Sequence, residues 1–440
     1  MKNNWPPKLT IYLFYLTIIL IPFNARYIFN FDQVQFVEEF HENLTWSVYF
    51  FDSIFFCLIL SFLVSGFLNK KIKFNLKKSL QTPLFWLILL GILNLIVANE
   101  KPPAIYQFTR LSVAFIFFFL AKKLLESKQI KLISILLIFI SGIFQSIIAL
   151  GQFVFQKSLG LSVLGESMIA PDILGVAKFE IYGNKIIRSY GTFPHPNLLA
   201  IFLLLALGCG WWLWLQENKK IKKKYLAIGL LFISVGIIST YSRGGILASA
   251  LLLTIFLITN RKLFSTLLNL NKKNFSLFQK ILMRLSILLL IFLIFFSTYR
   301  VLVPRLCYKC AGENSIELRQ IYSYYAQKII AENRLLGVGL GNFTLTLKKK
   351  SNNLANYEIQ PVHNLYLLIA AELGILGLIL WSLFILKSGL NKPLNKKRIF
   401  GNPFSSVFII FLLLGLIDHY FWTLPQGQLL FFLGLALSEN

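Results

Sequence analysis

Apolar residues run in blocks long enough to cross a bilayer, and polar residues cluster in the gaps between them. A span needs roughly 20 apolar residues at 1.5 Å of rise each. By that rule the chain predicts about twelve spans, near 9–23, 46–68, 83–98, 104–121, 130–155, 196–215, 225–241, 244–259, 281–303, 363–386, 404–421 and 424–437. The expected fold class is therefore all-α, a polytopic transmembrane helical bundle. The first apolar stretch follows Met1-Lys2 at full length and lacks a small-residue cleavage site, so it reads as a span and not as a cleaved signal peptide.

The gaps alternate in charge. With the N-terminus placed in the cytoplasm, the inner gaps hold Lys70, Lys71, Lys73, Lys77 and Lys78, then Lys122, Lys123, Lys128 and Lys131, then Lys219, Lys220 and Lys222 to Lys224. Arg261, Lys262, Lys272, Lys273, Lys280 and Arg284 follow, and finally Lys387, Lys392, Lys396, Lys397 and Arg398. This alternation obeys the positive-inside rule and expects both termini in the cytoplasm. Three segments result: 1–303 with nine spans and short loops, a large extracytoplasmic loop at 304–362 that is partly helical, and 363–440 with the last three spans. In the large loop, Asn314 to Glu317 resembles a helix cap. Ile316, Ile321, Tyr325 and Ile329 recur at helical spacing to about Glu332, and Gly337, Gly339 and Gly341 break the pattern. The basic and apolar residues of 260–284 suit a helix lying on the inner leaflet.

Composition agrees. The chain is 56% hydrophobic and 14% charged, and its net charge of +26 is spread between apolar blocks instead of forming a basic domain. That distribution argues for contact with membrane lipids and against a nucleic-acid partner. No set of Cys and His has zinc spacing, and no cofactor or metal is expected. Cys307 and Cys310 sit in the large outer loop, as a small disulfide staple or two free thiols.

Three short motifs stand at the outer ends of descending spans. Arg188-Ser-Tyr-Gly-Thr-Phe-Pro-His195-Pro-Asn197 leads into one, with Pro196 where a helix can begin without its N–H. Ser242-Arg243-Gly244-Gly245 turns into the next, and His363-Asn364-Leu-Tyr366 opens a third. Helix N-termini carry free N–H groups and partial positive charge. If these ends converge, Arg188, His195, Asn197, Arg243 and Asn364 would line a cationic pocket suited to a lipid-linked phosphate or diphosphate. His363 is the candidate general base, because imidazole titrates near neutral pH. Asp418-His419 is a rival pair on the same side. Glu372 lies nine residues after His363, on the opposite helix face, and reads as a pairing residue. Arg319 and Arg334 in the large loop are further phosphate contacts or ordinary solvated arginines.

Taken together, these motifs resemble the O-antigen ligase and polymerase family of bacterial membrane glycosyltransferases. The resemblance rests on Arg188 to Asn197, Ser242 to Gly244, Arg319 with Gly337 to Phe343, and His363 to Gly374. It covers roughly 140–390. Where the family often has a Trp a few residues after the loop arginine, this chain has Tyr322, Tyr324 and Tyr325. The resemblance implies an enzyme of the inner membrane, active on its outer side without a metal. Such an enzyme moves a glycan from an undecaprenyl-diphosphate carrier to an acceptor hydroxyl on a glycolipid, a glycan or a protein. Arg188 and Arg243 would hold the diphosphate and His363 would activate the acceptor. Ligase, chain polymerase and protein O-oligosaccharyltransferase all fit. A transporter or flippase of lipid-linked sugars is the reading from another class, but it would favour midplane charges and internal repeats, and neither is evident.

Overall fold

The computed structural model describes residues 6–29, 45–69, 80–181, 184–216, 222–260, 314–351, 354–355, 358–389 and 402–439. Its helices are α1 (Lys8–Leu20), α2 (Phe50–Leu68), α3 (Pro83–Val97), α4 (Lys101–Leu124), α5 (Lys128–Phe155), α6 (Pro196–Leu215), α7 (Lys223–Ser239) and α8 (Arg243–Thr259). Then come α9 (Asn314–Glu332), α10 (Phe343–Lys350), α11 (Leu365–Gly389), α12 (Pro403–Leu414), α13 (Tyr420–Thr423) and α14 (Pro425–Glu439). Among the described residues, five helices are long and apolar enough to cross a membrane, namely α2, α4, α5, α6 and α11. Helices α1, α3, α8 and α12 are apolar but shorter. The expected span 281–303, the basic segment 260–284 and the Cys307–Cys310 pair lie outside the described residues.

Three expectations need correction. The protein is mostly helical but not purely so. Strands β1 (Arg26–Ile28) and β2 (Ser47–Tyr49) pair antiparallel, as do β3 (Lys178–Ile181) and β4 (Asn184–Ile187). The second hairpin has a sequence signal, the polar–apolar alternation of Lys178 to Ile181. Next, the apolar run 404–421 is not one helix. Helix α12 stops at Leu414, and Gly415 to His419 form a loop before α13. Hydrophobicity continued through the break, so composition hid it. Last, α11 begins at Leu365, which leaves His363 in the turn before it and makes Asn364 its cap. The Asn364 carboxamide oxygen accepts from Tyr366 N and Leu367 N, both at 3.0 Å.

Helix α6 is apolar all round, and nearly every residue from Pro196 to Trp214 is buried. A helix without a polar face needs neighbours on every side. Here α5, α7, α8, α12 and α14 supply them. Small residues allow the close approaches: a Cβ on Gly142 of α5 would lie 2.4 Å from Ala206, and one on Gly208 would lie 2.7 Å from Val407. Helix α6 is thus a rigid post, and its N-terminus carries His195 and Asn197.

Helix α9 buries Tyr322, Ala326 and Ile329 against α11; of the expected stripe Ile329 is buried, while Ile321 and Tyr325 are only half-buried. The glycine run after it is a clasp. Gly337, Gly339 and Gly341 all have positive φ, at 69°, 111° and 66°. Val338 N and Gly339 N donate to Ala371 O and Glu372 O of α11 at 3.0 and 3.1 Å. Ile375 N donates to Arg334 O at 2.8 Å, where Gly374 kinks α11 with φ 72°. Buried Asn94 of α3 seals the far side by accepting from Leu340 N at 2.7 Å and donating to Leu336 O at 2.9 Å.

Candidate functional site

The segment before α6 hangs from α5 by a ladder of glutamines. Gln152 Oε1 accepts from Tyr190 N and Gly191 N at 2.9 and 2.8 Å. Gln145 Oε1 accepts from Thr192 N at 3.0 Å, and Gln156 Oε1 accepts from Ile187 N at 2.8 Å. Gln145 and Gln152 are seven residues apart, two helical turns on one face, and both are fully buried. Gly191, with φ 60°, has no space for a Cβ beside Gln145 Oε1. Buried amides in an apolar span cost free energy unless they are bonded. These are, and they hold Arg188 in one place.

From there Arg188 bridges two elements. Its Nε donates to Thr240 O at 2.8 Å, at the end of α7, and one Nη donates to Asn197 Oδ1 at 2.5 Å, in the first turn of α6. Asn197 passes the link on through Nδ2, which donates to Asp418 Oδ2 at 2.9 Å. Asp418 Oδ1 accepts from His419 N at 2.9 Å and lies 3.5 Å from His363 Nδ1. That last separation is too long for a good hydrogen bond, and His363 Nδ1 is buried with no other hydrogen-bond partner. The imidazoles of His363 and His419 meet edge to face at 5.0 Å. His419 Nδ1 is 2.8 Å from Thr423 Oγ1.

Two of the three expected helix ends are therefore joined through side chains, and the third adjoins them. Arg243 opens α8 behind Ser242, whose Oγ caps Gly245 N at 3.2 Å. Gly244 lies directly against the Asp418 loop, where a Cβ would come 2.9 Å from Ile417 and 3.3 Å from Leu414. The same loop is tied to the start of α11, because Leu365 N donates to Gly415 O at 2.7 Å and Asn364 Nδ2 to Leu416 O at 3.2 Å. The guanidinium of Arg243 is exposed. Arg319 is exposed on α9, and its charge is felt at Arg188, His419 and Tyr420. Arg334 folds back on its own helix end, with Nε 3.2 Å from Ala331 O. Glu372 is buried and accepts at Oε2 from Trp422 Nε1 at 2.8 Å.

The charges in this cluster are balanced. Burial works against the Arg188 cation, while Tyr420, Tyr190 and Asp418 favour it. Burial alone would raise the Asp418 carboxyl, but the nearby His363, with His419 and His195 behind, holds it below the usual carboxylate range. Burial, then the charge of His363, pushes the His419 imidazole down to about 3. Burial and Arg188 push His195 well below its ordinary value, so its ring is neutral at pH 7. Asn197 N donates to His195 Nδ1 at 3.1 Å, which leaves the ring proton on Nε2.

Several residues that shape the site had no motif to mark them. Tyr322 lies with its ring 6.3 Å from His363 and donates its hydroxyl to Glu358 O, so a tyrosine holds a position over the histidine. Tyr420 sits between His195 and His419 at 4.9 and 4.7 Å. The glutamines of α5 were detectable as a polar stripe in an apolar span. No set of Cys and His has zinc spacing along the chain, yet folding brings ligand atoms of His363, Asp418 and His419 within 4.8 Å of one another.

No curated protein matches the chain. The family model described as O-antigen ligase matches residues 228–382, from α7 to most of α11. That stretch contains Arg243, Arg319, His363 and Glu372, while Arg188, Asn197 and Asp418 lie outside it and reach the site only through the fold. Over that stretch, with the motifs it encloses, the chain is similar to the O-antigen ligase family.

Proposed function

We propose that the protein is an inner-membrane glycosyltransferase that moves a glycan from undecaprenyl diphosphate to an acceptor hydroxyl on the outer face, without a metal. The observation that supports this most is the linkage of Arg188, Asn197, Asp418 and His363 from three separate segments. In this reading Arg188 and Arg243, with Arg319 at the rim, hold the diphosphate. A guanidinium has five donors, and Arg188 uses two in the bonds described, so others remain for phosphate oxygens. Asp418 faces His363 Nδ1 and keeps the ring proton there, which leaves Nε2 as the base. Asn197, His195 and Asn364 position these groups and the substrate.

The step balances simply. His363 Nε2 takes the proton of the acceptor hydroxyl, and that oxygen bonds the anomeric carbon. The bond from that carbon to the diphosphate oxygen breaks, the arginines stabilise the additional negative charge on the departing undecaprenyl diphosphate, and the proton on His363 then passes to that phosphate or to solvent. The 3.5 Å gap between His363 and Asp418 fits a site that tightens on substrate.

His363→Gln should lower transfer by about 10²–10⁴-fold in reconstituted protein while donor binding survives. In a deletion strain it should leave finished chains on the carrier, as a ligase defect would. Single repeat units on the final acceptor would indicate a polymerase instead. If His363→Gln turned over normally and Asp418→Asn did not, Asp418 would be the base.

A further inference from the structure

We propose that His363, Asp418 and His419 form a binding site for a borderline divalent cation of the Zn²⁺ class, and that the cation inhibits the enzyme by occupying it. Three features of the geometry carry this. The first is spacing. Zinc binds imidazole nitrogen and carboxylate oxygen at about 2.0–2.2 Å, which places two ligands of a tetrahedral ion about 3.3–3.5 Å apart. His363 Nδ1 and Asp418 Oδ1 are 3.5 Å apart, and the nitrogen is buried without a hydrogen-bond partner. A separation too long for a hydrogen bond suits a cation between the two atoms.

The second feature is the donor set. All three ligand atoms lie within 4.8 Å of one another, close enough for one ion to draw them together. Two imidazoles and a carboxylate favour zinc over magnesium or calcium, which prefer oxygen alone.

The third is outer support of the kind metal ligands need. His419 Nδ1 is held by Thr423 Oγ1 at 2.8 Å, which orients the ring and leaves Nε2 for the ion. Asp418 is fixed by Asn197 Nδ2 at 2.9 Å and by His419 N at 2.9 Å. Arg188 and Arg319 oppose a cation here, so the site is an inhibitory one of moderate affinity and not a permanent structural centre. An ion on His363 Nδ1 forces the ring proton onto Nε2, and the base lone pair is lost. Binding is independent of the function proposed above, whereas the inhibition rests on that role of His363.

The test uses the purified full-length protein in nanodiscs, with Co²⁺ as the visible probe and Zn²⁺ as competitor. Wild type should develop a visible ligand-field band that saturates at one equivalent, with a Kd tighter than about 0.1 mM, and Zn²⁺ should abolish it. His419→Gln should remove the band. Thr423→Val keeps every ligand and should weaken binding by about 10–100-fold. No band in wild type, or wild-type affinity in both variants, would overturn the site. Zinc should also slow transfer, and chelator should restore it. Stoichiometric binding with undiminished transfer would leave the metal site standing and remove His363 as the base.

Discussion

Arg188 shows how one side chain can hold a site together while serving it. It ties α7 to α6 through Thr240 O and Asn197, and Asn197 in turn restrains Asp418. A lysine would keep the charge but cannot span two protein acceptors and a phosphate with one ammonium. Bonds to a charged group contribute about 1.5–3 kcal/mol each. Arg188→Lys should therefore slow transfer by roughly 10–100-fold, and Arg188→Ala should go further, because Asp418 loses its compensating charge as well. Reconstituted transfer rates on protein of unchanged oligomeric profile measure this. Full activity of the lysine variant would show that diffuse positive charge is enough. His363 makes the complementary point: its sequence context marked it, but its unfilled nitrogen and its partner Asp418 are visible only in the folded chain.

At the scale of elements, helix ends and glycine turns do the positioning. The 337–341 clasp grips α11 between Ala371 and Ile375, two turns into the helix that His363 precedes. A Cβ at Gly337 would sit 2.4 Å from the Glu372 carbonyl, whereas one at Gly175, with φ 77°, would meet nothing within 4 Å. Both positions carry the left-handed backbone cost of about 1–2 kcal/mol for an alanine, but only Gly337 adds a backbone clash. Gly337→Ala should thus lower the thermal unfolding temperature well beyond Gly175→Ala, and should reduce transfer through displacement of α11. Equal shifts for the two variants, measured by intrinsic fluorescence in detergent, would mean that the clasp yields and does not hold α11. The glutamine ladder of α5 acts by the same logic, with buried amides that can be satisfied in only one position of the Arg188 segment.

For the whole molecule, the charge alternation and the helix directions make one joint claim about sidedness. The motif-bearing ends of α6, α8 and α11 meet at one end of the bundle, and the loop carrying α9 and α10 packs there too. On the proposed reading, positive-inside asymmetry puts that end outside. The native cysteines must first be replaced, since Cys57 is exposed. A single cysteine at exposed Lys349 should then react with an impermeant maleimide in intact spheroplasts, and one at Lys224 should react only after permeabilisation. The reverse labelling pattern would place the site on the cytoplasmic side and sink the carrier-lipid reading.

The sequence by itself determined the helical class, the approximate places of the apolar segments, the α9 helix and the residue types available for chemistry. Those follow from local rules: span length, 3.6-residue periodicity, and proline or glycine at helix boundaries. It also brought Arg188, Arg243 and His363 forward, because each stands beside a helix start. Only the tertiary structure decided which of these residues meet. Asp418 lies 55 positions after His363 and 221 after Asn197, and nothing local distinguishes a carboxylate at a span end from one that anchors a histidine. The break at Gly415 is muted in hydropathy, because Leu416 and Ile417 keep the chain apolar up to Asp418. The cluster exists because α6, α8, α11 and α12 pack around the same buried end, and burial is what turns four scattered polar side chains into a connected set.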